Sequence, residues 1–163
     1  MSPHSDTRGF SLIELMIALA LLSIAVGIAI PNFAGLIRNN QVQAQAQTLN
    51  SLLQYARSQA VVRRTTVGVT SAGNTWTVTA GATPIRIEEF NPAHATIKAS
   101  GPINITYASN GSASSMRLIV CRPDENPAFA YLIGILPSGS VTLHPRGRKS
   151  DNTTLLQDCS TDE

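Results

Sequence analysis

The feature that most constrains this chain is an apolar run close to its start. Between Phe10 and Ile30 the only polar side chains are Ser11, Glu14 and Ser23. Wound as an α-helix, such a stretch measures about 30 Å, the thickness of a bilayer's hydrocarbon core. It is longer than the apolar region of a secretory signal peptide. Pro31-Asn32-Phe33 follows it, where a cleaved signal carries small residues. The run therefore reads as a membrane anchor, and it accounts for part of the low charged fraction, 13% over 163 residues.

Glu14 conflicts with a plain anchor, because an ionised carboxylate costs a few kcal/mol at mid-bilayer and less near the interface. It stands about one turn inside the run. Two readings are open. The side chain snorkels to the nearby interface, or it meets a cation supplied inside the membrane by a neighbouring chain, which would also fix the register between chains.

Beyond Pro31 the sequence becomes polar and rich in glutamine and alanine. Apolar residues fall at Val42, Ala46, Leu49, Leu53, Ala56 and Ala60, steps of four and three that mark one helix face. Leu52 and Tyr55 widen the stripe, which predicts a helix packed on a globular domain. Pro31 removes a backbone hydrogen bond and predicts a kink between the two helical halves. From Thr66 the period changes to two. The stretches TVGVTS, TWTVTA, PIRIEEF, HATIKA, INITYA, MRLIVC, FAYLIGIL and SVTLH are separated by Gly, Pro, Asn and Ser clusters. Gly73-Asn74 reads as a hairpin turn. The expected fold is α+β: a long N-terminal helix, membrane span plus amphipathic half, packed on an antiparallel β domain of two sheets. From about Pro145 no period is visible, and the residues read as a C-terminal tail.

Catalysis has little support. His4, His94 and His144 are scattered, and no glycine-rich phosphate loop or metal-ligand cluster is present. Glu88 and Glu89 fall on opposite faces of a strand. Neither an enzyme nor a cofactor or metal site is expected. Net charge is only +2, so binding of a polyanion would need a local patch.

Gly9-Phe10-Ser11-Leu12-Ile13-Glu14-Leu15, placed ahead of the apolar run, resembles the processing and assembly motif of type IV pilins and type II secretion pseudopilins. The helix followed by short strands, with the segment from Asn39 to Val67, is similar to the GspH/FimT family of minor pilins and pseudopilins. The resemblance implies a leader over residues 1–9, a membrane half over 10–30 and a periplasmic domain over 31–163, with its helix running to about residue 64. It implies that prepilin peptidase cuts between Gly9 and Phe10 and methylates the new amine. It also implies that Glu14 pairs with the N-terminal amine of an adjacent subunit.

In the oxidising compartment that such a domain enters, Cys121 and Cys159 are expected to join. Gly147-Arg148-Lys149, with Arg146 beside it, resembles the Gly-Arg-x-Arg motif of DNA-binding pilins of this family. The second arginine is missing here, because Ser150 follows Lys149. Arg146, Arg148 and Lys149 are therefore candidate DNA contacts on an exposed loop.

The expected function is that of a minor pilin of a type IV pilus. It would be a structural subunit of the inner membrane and then of the filament, helping to initiate assembly near the tip. Its partners would be other minor pilins, the major pilin and prepilin peptidase. The alternatives are a minor pseudopilin of a type II secretion system and a DNA-binding pilin for DNA uptake.

Overall fold

The computed structural model describes residues 10–161, apart from the side chains of Pro31 and Asn32. Gly9 and the Pro31 side chain, the predicted origin of a kink, lie outside the described residues. One helix, α1, is assigned from Leu12 to Arg63. Eight strands follow: β1 (Val67–Ala72), β2 (Thr75–Ala80), β3 (Thr83–Glu89), β4 (Thr96–Ala99), β5 (Asn104–Tyr107), β6 (Met116–Cys121), β7 (Tyr131–Ile135) and β8 (Val141–Leu143). Each coincides with a stretch expected from period-two patterning. They form two antiparallel four-stranded sheets, in the orders β3-β2-β1-β5 and β4-β6-β7-β8.

The chain divides into two compact units, one reaching Ile37 and the other beginning at Arg38. In the first, the large apolar side chains from Phe10 through Ile37 are exposed, between 44% and 77% of their surface. In the second, the stripe Val42, Ala46, Leu49, Leu53, Ala56 and Ala60, joined by Leu52, is fully buried. It packs with the inward positions of both sheets: Val67, Val69, Trp76, Val78, Ile105 and Tyr107 from one, and Leu118, Val120, Ile133 and Ile135 from the other. Alternation along β1 explains the choice. Val67 and Val69 point inward, opposite Tyr107 and Ile105 of β5, while Gly68 and Thr70 point out. The β1–β2 hairpin closes at Gly73, whose φ of 61° suits a two-residue turn and favours glycine.

Helix α1 ends in a left-handed residue. The Thr65 N–H donates to the Ala60 carbonyl and the Arg64 N–H to the Val61 carbonyl, with Arg64 at φ 53°. This pair of bonds caps the last turn, with arginine where glycine is usual. Arg63, in the last turn, also donates from Nε to Gln59 Oε1 at 2.8 Å. Arg63 and Arg64 thus both serve the helix end, one through its side chain and the other through its backbone.

One expectation needs correction. Residues after Pro145 are not a shapeless tail. They form a strap over the outer face of the second sheet, where Leu156 and Cys159 are buried with Ile119, Cys121 and Ala130. Strand β6 is consequently buried on both faces over Leu118–Cys121. This explains why the last four residues of MRLIVC are continuously apolar rather than alternating.

Candidate assembly site

The N-terminal motif opens helix α1. The Ser11 carbonyl accepts from the N–H groups of Glu14 and Leu15, both at 3.1 Å, so helical bonding starts at Ser11. Glu14 lies in the first helical turn, where the helix dipole favours negative charge. Its side chain is exposed among exposed apolar neighbours, and among the described residues no cation pairs with it. Phe10 is 76% exposed beside it. The carboxylate thus sits on an apolar helix surface with no cation beside it among the described residues.

In the second unit a different charge organises the surface. Arg57 donates from Nε to the Gly111 carbonyl at 3.2 Å and from a terminal nitrogen to the Ser138 carbonyl at 3.1 Å. One helix side chain therefore holds the β5–β6 and β7–β8 connections together. The two loops touch so closely at Gly139 that a Cβ there would lie 1.7 Å from the Gly111 carbonyl oxygen. Beneath them Tyr107 is fully buried. Burial pushes its phenol well above the ordinary value, against the pull of the Arg57 charge. Sequence reasoning missed this node. Its only local signal was an arginine set between Ala56 and Ala60 of an apolar stripe.

The strap is tied at both ends. Cys121 and Cys159 form a disulfide with a Cα–Cα distance of 6.2 Å. Gly147 donates to the Ala130 carbonyl and accepts from the Leu156 N–H. Asp151 caps the intervening turn. It accepts from the Thr154 hydroxyl and from the backbone N–H groups of Thr154 and Thr153, which hold it well below the usual carboxylate range. The Ser160 hydroxyl and N–H lower Asp158 in the same way. His144 is buried, with Nδ1 at 2.8 Å from Asn152 Oδ1.

The three candidate DNA contacts share this strap but do not form one free cationic surface. Arg146 lies over the Phe129 ring, at 5.4 Å from its centroid, and the Arg122 guanidinium lies 4.7 Å from the same centroid. Arg148 donates to the Thr153 carbonyl, and the backbone of Lys149 bonds to Thr154. Arg148 and Lys149 are both half-buried. These contacts hold the loop against Phe129 and its own turn. Among the described residues no group of three or more His, Cys, Asp or Glu could hold a metal ion.

Comparison with known proteins decides the family. A family model described as type II transport protein GspH matches residues 45–139. The chain belongs to the GspH family. The prokaryotic N-terminal methylation motif also matches, over residues 4–30. A search of curated proteins returns no match.

Among solved structures, the type IV minor pilin FimU of Pseudomonas aeruginosa is similar at 24% identity and a TM-score of 0.63, covering 74% of this chain and 96% of that one. The minor pseudopilin EpsH from the type 2 secretion system of Vibrio cholerae is similar at 15% identity and a TM-score of 0.53, covering 66% and 99%. These likenesses establish the shared fold of one long helix on two sheets. For this GspH-family chain, the methylation motif and the apolar helix fit an inner-membrane anchor bearing a periplasmic domain. The family is one of structural pilins and pseudopilins. Its membership implies processing by prepilin peptidase and assembly with other pilin-like subunits.

Proposed function

We propose that this chain is a minor pilin of a type IV pilus, a structural subunit that helps initiate assembly near the filament tip. Glu14 carries the reading. It is exposed in the first turn of an apolar helix and unpaired among the described residues of its own chain. In lipid such a charge favours any state that supplies a cation. The methylated amine of an adjacent subunit, made by cleavage between Gly9 and Phe10, is that cation. Catalysis plays no part. The working chemistry is packing plus one intermolecular ion pair.

The preference for a pilus over a secretion pseudopilus is supported by the greater likeness to FimU than to EpsH, in identity and in TM-score. Deleting the gene in its host tests it. Loss of surface pili and twitching with normal exoprotein secretion supports the pilus. The reverse pattern assigns the chain to a type II secretion pseudopilus. In either case the mature protein should begin at a methylated Phe10, and intact mass with residues 1–9 retained in assembled filaments would refute the assembly route.

DNA uptake stands second. It is favoured only by the grouping of Arg146, Arg148 and Lys149 in one loop. Three phosphate contacts give a salt slope of at most about −3 on duplex DNA, so binding by one subunit would be weak. Titration with short duplex DNA at two salt concentrations tests it, and an affinity unchanged when all three become alanine removes it.

A further inference from the structure

A cleft of about 310 Å³ lies at the start of the second unit, lined by Arg38, Gln41, His94, Arg122 and Asp124 among others. Its chemistry is cationic and partly prearranged. Arg122 is held on three sides: it pairs with Asp124 at 2.7 Å, donates to Asn39 Oδ1 at 3.4 Å, and lies over the Phe129 ring. Its side chain is only 12% exposed. Those polar contacts engage two of the five N–H donors of a guanidinium, and the ion pair neutralises the one carboxylate in the lining. Arg38 is exposed and has no ion-pair partner among the described residues. A fixed guanidinium, a second movable one, an imidazole and an amide around one cleft match the charge and acceptor oxygens of a phosphate group.

The sequence bears on the source of such a phosphate. Exposed apolar side chains do not stop at Ile30. They continue through Phe33, Leu36 and Ile37. Arg38 comes next, the first charged residue after Glu14. Arg38 follows Ile30 by about 12 Å of helix, so its long side chain can reach back to the headgroups, where each cation near an anionic leaflet adds about 1 kcal/mol of attraction.

We propose that the Arg38–His94–Arg122 cleft binds the phosphate of an anionic phospholipid headgroup in the outer leaflet of the inner membrane. Before assembly this contact holds the start of the domain against the bilayer surface. Extraction into a filament has to break it. The inference needs only the membrane anchor, and it stands whether the filament is a pilus or a pseudopilus.

The experiment uses the full chain in detergent micelles and reads lipid retention by native mass spectrometry. The probes are phosphatidylglycerol, phosphatidylcholine and inorganic phosphate. Wild-type protein should retain phosphatidylglycerol in preference to phosphatidylcholine. Arg38→Gln should reduce that preference about five-fold, one cation's share, and the exposed, unpaired position leaves folding untouched. Arg148→Gln, a cation on the strap, should leave it unchanged. Equal retention of the two lipids, or a preference that survives Arg38→Gln, overturns the proposal. Displacement of phosphatidylglycerol by millimolar inorganic phosphate would make the cleft a site for free phosphate and overturn the headgroup assignment.

Discussion

The two halves of helix α1 use one backbone geometry for opposite ends. From Phe10 to Ile37 the large apolar side chains are open to their surroundings, and the single charge, Glu14, has no partner in its own chain among the described residues. After Arg38 the apolar residues form a stripe of steps three and four and vanish into a core that both sheets complete. The first half has an apolar surface wherever one looks. The second buries its apolar stripe beneath the sheets and leaves only Val61 and Val62, at its end, as large apolar side chains in the open. The difference teaches that helix formation is the lesser part of the design. What distinguishes the halves is where each finds the groups that satisfy it: lipid and other subunits for one, its own strands for the other.

If that is right, the two halves must fail in different ways. Glu14→Ala should produce the largest effect, a fall of more than ten-fold in the copies of this subunit recovered in sheared filaments. Membrane insertion should persist or improve, since a charge in lipid has been removed. Thermal unfolding of the domain should not change. Leu53→Ala should do the converse. Leu53 is fully buried in the stripe, and truncating such a leucine costs about 2–5 kcal/mol. Unfolding of the full chain in detergent should shift accordingly, while the fraction in the membrane stays constant. Normal incorporation of Glu14→Ala would remove the intermolecular role of that charge, and an unshifted midpoint for Leu53→Ala would deny the second half its core.

Most of this contrast was legible in the sequence because it is written in local periods. The anchor is a matter of length and composition. The stripe from Val42 to Ala60 is a matter of spacing, and the strands are alternating residues bounded by turn formers such as Gly73 and Gly139. Apart from the Cys121–Cys159 link, the strap was not legible, nor was the Arg57 node, for one physical reason. Their order comes from partners far away in the chain. Arg57 bonds to carbonyls 54 and 81 residues distant, and Cys159 reaches back 38 residues to Cys121. The stretch from Pro145 to Thr161 has no period because it is neither helix nor strand. Its bonds are side-chain caps, single backbone bonds and a covalent link. The expected Cys121–Cys159 link and the continuous apolarity of Leu118–Cys121 were the two signals that something covers the second sheet's outer face.

The strap therefore extends the comparison to the domain itself, between a core built by periodicity and a cover built by staples. Cys159→Ser should cost about 4 kcal/mol by loop-closure entropy, within the range of the core truncation. Hydrogen exchange should rise first in residues 145–161 and only later in the sheets. Acid should act on the same segment. Asp151 and Asp158 are held below the unfolded value of about 3.9. Their contribution is complete above that value and is lost as pH falls through the lowered ones. In Cys159→Ser the strap should loosen below about pH 4 while the sheets persist. Uniform exchange across the domain would mean that the strap is part of the core rather than its cover.

The smallest effect is expected where the second half of α1 stops. Arg64 holds a φ of 53° so that Thr65 can bond to Ala60 and Arg64 to Val61. For a residue with a Cβ that conformation costs on the order of 1 kcal/mol, and glycine adopts it freely. Arg64 lies exposed in the helix's terminal turn, where its charge also favours the carbonyl end of the dipole by a few tenths of a kcal/mol. Glycine removes the strain and the charge together and adds freedom to the unfolded chain. The net for Arg64→Gly is a stabilisation of about 0.5 kcal/mol, visible as a rise of a degree or two in the domain's melting temperature. Arg64→Ala, which loses the charge and keeps the strain, should fall slightly below wild type. If glycine destabilises as much as alanine does, the arginine is held there by its charge and not merely tolerated, and the helix end has to be counted with the electrostatic features of the second unit.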